Sequence, residues 1–116
     1  MSATREQVIV SALSDKVPLA GAGVERYKRA QALPVMLIRH GLLQVCGFLE
    51  AKGAEDEQIR SWLELGVSAV LGTTRLKTAT LAALPLRRYL LQQEVAVEVA
   101  TWLKRIVEAR LPQETP

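Results

Sequence analysis

Apolar residues recur at three- and four-residue spacing along most of this chain, and nowhere do they alternate with polar residues long enough to line one face of a strand. That period places them on one side of an α-helix, and such a face is stable only when other helices cover it. No Asn-Gly or Asp-Gly pair offers a hairpin turn. The pattern predicts an all-α fold, a single compact bundle of five or six helices. A length of 116 residues, 49% of them hydrophobic, suffices for one core without metal or disulfide staples. Residues 1–111 are expected to form one helical domain and residues 112–116 a frayed tail.

Glycine and proline mark the boundaries. A first helix is expected from Thr4 to Leu13, ending ahead of Pro18 because residues before proline avoid the helical region. Gly21-Ala22-Gly23 reads as a loop. A second helix starts near Val24, and Pro34 either kinks it or opens a third as its first residue. The third, Pro34 to Ala51, carries the stripe Val35, Ile38, Leu42, Val45 and Leu49, and Lys52-Gly53 closes it. Glu55-Asp56-Glu57 supplies the negative charge favoured at the start of a fourth helix, which carries Ile59, Trp62, Leu63, Val67, Val70 and Leu71 and ends at Gly72. A short fifth helix is expected over Thr74 to Leu84, and a long last one from Pro85 to Leu111. Gly41, Gly47 and Gly66 fall inside these helices at a cost of ~1 kcal/mol each, which points to close approach by another helix or another chain.

The chemistry such a chain can perform is narrow. It has one histidine, one cysteine and two aspartates. It lacks His-Glu-x-x-His, paired Cys-x-x-Cys and a phosphate-cradling Gly-x-x-x-x-Gly-Lys loop. No metal site and no cofactor are expected, since a metal needs three or four ligands. His40 is the sole imidazole on which a catalytic triad could be built, and it reads as a surface residue. Cys46 cannot form an intramolecular disulfide and reads as a small buried hydrophobe. Trp62, Trp102 and Phe48 sit in apolar stripes and read as packing residues; aromatics at 4% are too few for a base-stacking platform. No apolar run approaches the ~18 residues needed to cross a membrane. The expectation is a soluble cytoplasmic protein that is not an enzyme.

Charge is more informative by position than by sum. The net charge is +3, but no acid lies between Glu25 and Glu50, a window holding Arg26, Lys28, Arg29 and Arg39, and none lies between Glu64 and Glu94, a window holding Arg75, Lys77, Arg87 and Arg88. Segregation of this kind builds a positive face for a polyanion, unless the residues scatter over the fold. Lys104, Arg105 and Arg110 near the end of the last helix need no ligand, because the helix dipole favours cations there. Arg87 and Arg88 follow Pro85, and Arg75 and Lys77 follow Gly72-Thr73-Thr74, at expected helix starts where the dipole disfavours them. Free backbone N–H groups beside two cations make a phosphate seat. Arg26 and Arg29 share a helix face and, with Arg39, complete the candidate RNA-phosphate contacts. A salt bridge to an acid elsewhere is the competing explanation for each.

Leu33-Pro34-x-x-x-Ile38-x-x-Gly41-Leu42, followed by Phe48-Leu49 and Lys52-Gly53, resembles the signature of the small subunit of the type III-B CRISPR effector, the Cmr complex. Tyr27, Tyr89-Leu90 and Trp102-Leu103-Lys104-Arg105 fit the same pattern in order and spacing. The resemblance covers Tyr27 to Arg110. It implies a non-catalytic subunit of an antiviral ribonucleoprotein, stacked with further copies of itself against the backbone and large subunits, beside guide RNA and target RNA. Self-association of the isolated chain is expected to be weak or absent. A DNA-binding regulator and a helical adaptor without nucleic acid are the alternatives.

Overall fold

The computed structural model describes residues 3–17 and 24–110, the side chains of residues 24–27 excepted. Among them there are six helices and no strand: α1 (Arg5–Ser14), α2 (Val24–His40), α3 (Leu42–Lys52), α4 (Ala54–Leu71), α5 (Thr78–Ala82) and α6 (Leu86–Arg110). The Gly21–Gly23 loop and the 112–116 tail lie outside the described residues.

Helix α1 starts at a reciprocal cap. The Thr4 hydroxyl accepts from the Gln7 N–H at 3.1 Å, and the Gln7 side-chain oxygen accepts from the Thr4 N–H at 2.8 Å. Ile9, Leu13 and Val17 are buried. The far end of α6 holds the end of α1: Arg110 donates to the carbonyl of Ser14 at 2.9 Å and to that of Val17.

The second boundary differs from the sequence expectation. Helix α2 runs through Pro34, and the break comes at Gly41, whose φ of +84° is strained for any residue with a Cβ. The polar groups freed at this break are satisfied by α6. Gln93 donates to the Leu37 carbonyl at 2.9 Å and accepts from the Leu42 N–H, while the Tyr89 hydroxyl accepts from the Leu43 N–H at 3.0 Å. Because Gly41 interrupts the helix, the stripe expected to run continuously from Pro34 loses its phase there. Leu42, Val45 and Leu49 are buried as expected, but Val35 and Ile38 are 54% and 69% exposed, and Ala30, Leu33 and Leu37 take their place in the core.

The core lies where α6 packs along α2 and α4, with α1 against α4. Gly66 shows how closely α4 and α6 meet: a Cβ there would stand 2.4 Å from Cγ1 of Val99, which is fully buried. This glycine serves packing between two helices of the same chain. Helix α4 ends at Gly72, with φ +84°, as the sequence predicts. The fifth helix is shorter than expected, and residues 73–77 lead into it as a non-helical segment.

Candidate nucleic-acid interface

The segment between α4 and α5 owes its shape to a buried arginine. Arg60 is 5% exposed, yet it carries a full charge. Its guanidinium donates to both Glu57 oxygens at 2.6–2.9 Å, to Glu64 at 2.7 Å and to the Leu76 carbonyl at 3.1 Å. These bonds, those to Glu57 foremost, hold Arg60 protonated well beyond the ordinary guanidinium range and hold the Glu57 carboxyl below the usual carboxylate range. Glu64 in turn accepts from the Leu76 N–H at 2.9 Å. Ser68 accepts from the Thr74 N–H at 3.1 Å and donates to the Thr74 carbonyl at 3.0 Å. Glu50 takes both the N–H and the hydroxyl of Thr78, at 2.9 and 2.7 Å, and the hydroxyl bond chiefly lowers the Glu50 pKa.

This geometry corrects one part of the sequence reading. The backbone N–H groups of Thr74, Leu76 and Thr78, where a phosphate seat was expected, are already taken by Ser68, Glu64 and Glu50. Arg75 and Lys77 do not sit in the first turn of a helix. What the segment does instead is display Arg75, which is exposed and has no ion-pair partner among the described residues. Lys77 is exposed too, but its Nζ lies 3.4 Å from Glu57.

Arg87 and Arg88 occupy the first turn of α6, which contains no acid; both are exposed, with no partner among the described residues. A small cavity, lined by Leu71, Thr73, Thr74, Arg88, Leu91 and Gln92, brings Arg88 against the segment that carries Arg75. The fold thus brings Arg88 beside Thr73 and Thr74, the two residues that precede Arg75. Arg39 is exposed near the end of α2, where the helix dipole favours it.

Most of the other cations are engaged, the exposed Lys16 excepted. Arg29 is half-buried, its Nε 3.0 Å from Asp56, and its guanidinium lies 4.6 Å from the centre of the Phe48 ring. Its place among the candidate RNA contacts is therefore weakened by a structural partner. The Arg26 side chain lies outside the described residues. Lys104 pairs with Glu108 at 3.9 Å, Arg105 covers Trp102 at 4.9 Å, and Arg110 binds the end of α1. Asp56 and Glu57, read from sequence as helix-start acids, also neutralise Arg29 and Arg60.

His40 is exposed at the end of α2. Cys46 is buried in the core, and desolvation pushes its thiol up to about 12. No group of three or more metal-ligating side chains occurs among the described residues, and no described helix is long and apolar enough to cross a membrane.

Two residues that matter to this surface were not singled out from sequence. Arg60 had a signal, since Glu57 and Glu64 stand three residues before it and four after it, the spacings at which helical side chains meet. Gln92 had none.

Residues 10–110 match the family model for CRISPR-associated protein Cas_Cmr5. The fold superposes on the crystal structure of a CRISPR-associated Cmr5 family protein from Thermus thermophilus with a TM-score of 0.73 and 28% identity, over 94% of this chain and 98% of that one. No curated protein sequence matches. A family match across nearly the whole helical region, with the same fold at full length, settles the question the motifs raised: the chain belongs to the Cmr5 family of CRISPR-associated proteins.

Proposed function

We propose that the chain is a non-catalytic structural subunit of the type III-B CRISPR effector, which stacks with copies of itself and with the backbone and large subunits and steadies guide and target RNA through phosphates. The observation that carries the RNA contact is the set Arg75, Arg87 and Arg88: exposed and unpaired among the described residues, with Arg88 on a cavity shared with the segment that leads to Arg75, while Arg29, Arg60, Lys104, Arg105 and Arg110 all have protein partners. Arg39 and Lys77 contribute at its margins. Cations without base-reading aromatics suit a partner recognised by its backbone. The protein contacts are supported by Val35, Ile38, Leu86 and Leu90, large apolar side chains left more than half exposed. A DNA-reading regulator is disfavoured because α3 is mostly apolar and buries Leu42, Val45, Cys46 and Leu49, where a recognition helix would turn a polar face to the groove.

The test is target-RNA binding by the assembled particle as a function of salt. Each phosphate that is no longer neutralised flattens the log–log slope by roughly 0.7–0.9. Replacing Arg75, Arg87 and Arg88 by alanine in every copy is expected to weaken binding and flatten the slope by roughly two units per copy engaged. Lys104→Ala with Arg105→Ala is the control and should leave the slope unchanged. A weakened control beside an unaffected triple variant refutes the assignment.

A further inference from the structure

The break at Gly41 folds α3 back along α2 and leaves a groove between the two helices. Arg29, Ala32, Met36 and His40, spaced three and four residues apart on α2, line one side, and Val45 and Phe48 of α3 line the other. Phe48 meets Arg29, so the helices run in opposite senses away from the break. The groove measures about 400 Å³ and extends about 16 Å along α2 from Arg29 to His40.

Its middle is apolar and its ends are not. Val45 is buried, Met36 and Phe48 are half-buried, and Ala32 is exposed. Methionine adapts its shape to what packs on it. At one end the Lys52 Nζ lies 5.3 Å from the centre of the Phe48 ring and has no carboxylate partner among the described residues, whereas Arg29 beside it is matched by Asp56. That end therefore carries a positive charge in excess. At the other end His40 and Gln44, both exposed, offer side-chain N–H groups. No described acid lines the groove.

RNA suits this site poorly. The wall between the charged ends is apolar, and the Phe48 ring, which already holds Arg29 and Lys52, is not free to stack on a base. We propose that the groove receives an acidic amphipathic helix from another subunit of the effector. Apolar side chains of that helix, three or four residues apart, pack on Met36, Val45 and Phe48, and a carboxylate pairs with Lys52. Two helices with an open seam offer the ridges and grooves into which a third helix packs. An ion pair at the rim selects the partner more than it tightens the complex. The proposal rests on the subunit role above and deepens it, because it assigns a partner surface distinct from Val35 and Ile38, which the helical period puts on another face of α2.

The experiment places a photo-crosslinking residue at Gln44 in the full chain, assembles the effector with guide and target RNA, and identifies the attached segment by mass spectrometry. In parallel, Ala32→Glu, Ala32→Lys and Lys52→Gln compete with the parent chain for incorporation. Ala32 and Lys52 are exposed, so all three variants should melt close to the parent. Glutamate and lysine both fill the groove, and a difference between them reports charge. The expected results are a crosslink to one apolar and acidic segment of another subunit, several-fold poorer incorporation of Ala32→Glu than of Ala32→Lys, and a several-fold loss for Lys52→Gln at low salt. A crosslink to RNA, to a second copy of this chain, or to nothing overturns the groove assignment and leaves the subunit role standing. Equal incorporation of the two Ala32 variants, or parent-like incorporation of Lys52→Gln, overturns it as well, because the groove then does not select negative charge. If the parent chain itself fails to enter the particle, the subunit role and the groove assignment both fall.

Discussion

Replacing Arg60 by methionine tests whether the segment that displays Arg75 is built on a buried ion network. The guanidinium has two carboxylate partners and one carbonyl, all within 3.1 Å. Hydrogen bonds to charged groups contribute about 1.5–3 kcal/mol each, so two carboxylates set an upper figure of about 3–6 kcal/mol. Two effects reduce it. Glu57 and Glu64 are 39% and 29% exposed, so water replaces part of what each loses, as it does for surface pairs. Methionine also retains the apolar stem packing of arginine. A loss of about 2–3 kcal/mol remains, or roughly 10 °C in melting temperature for a domain of this size. Urea denaturation measures the first figure. Hydrogen exchange at Leu76 reports the local consequence, because its N–H depends on a Glu64 that Arg60 no longer holds. The same substitution in a Glu57→Gln, Glu64→Gln background should cost much less, since the charges it strands are gone. A loss below about 1 kcal/mol with Leu76 still protected would show that Arg60 is a bystander.

Gly66→Ala should destabilise the fold despite the helix propensity gained: the new methyl meets Val99 at 2.4 Å in a fully packed core, overpacking typically costs about 1–3 kcal/mol, and Val99→Ala should recover part of the loss in thermal melts of the double variant. Acid should unfold the protein through carboxylates held below their usual range. Glu50 and Glu57 are both lowered from about 4.5, so their contribution is complete above that pH and is lost as pH falls through the folded-state values. Urea midpoints should therefore be level from about pH 6 to pH 8 and fall below about pH 4.5, with a shallower fall for Glu50→Gln; a midpoint that rises on acidification contradicts the sign.

The helices were legible in the sequence wherever punctuation and periodicity agreed. Gly53 and Gly72 bound α4 as read, and Ile59, Trp62, Leu63 and Val67 are buried on its stripe. Between α2 and α3 the two signals conflicted. Pro34 looks like a boundary locally, but Gly41 is the one residue there that can take φ +84°, and side chains from α6, some 50 residues away, satisfy the break. No local rule contains that information. The short fifth helix starts later than expected for a related reason: Glu50, Glu64 and Ser68 compete for the N–H groups of residues 74–78 and hold the first of them extended.

The charge windows show the same limit from the other side. An acid-free stretch of sequence is not an acid-free region of space. Lys77 lies in such a stretch and still meets Glu57, while Arg29 meets Asp56. Only after these partners are subtracted does a pattern emerge. Lys16 apart, the cations that remain unpaired among the described residues are Arg39, Arg75, Arg87 and Arg88; Ile38, Leu86 and Leu90 are exposed on the same helices as three of them, and Gln93 ties the end of α2 to α6 while Tyr89 ties α6 to the start of α3. An apolar surface on its own would suit a protein partner, and a cationic one a polyanion. Exposed apolar and cationic residues on α2 and α6 fit a subunit that contacts both protein and RNA, and the two contacts are separable: Ile38→Ser with Leu90→Ser should impair incorporation into the particle without changing the salt slope, the reverse of what the arginine substitutions should do.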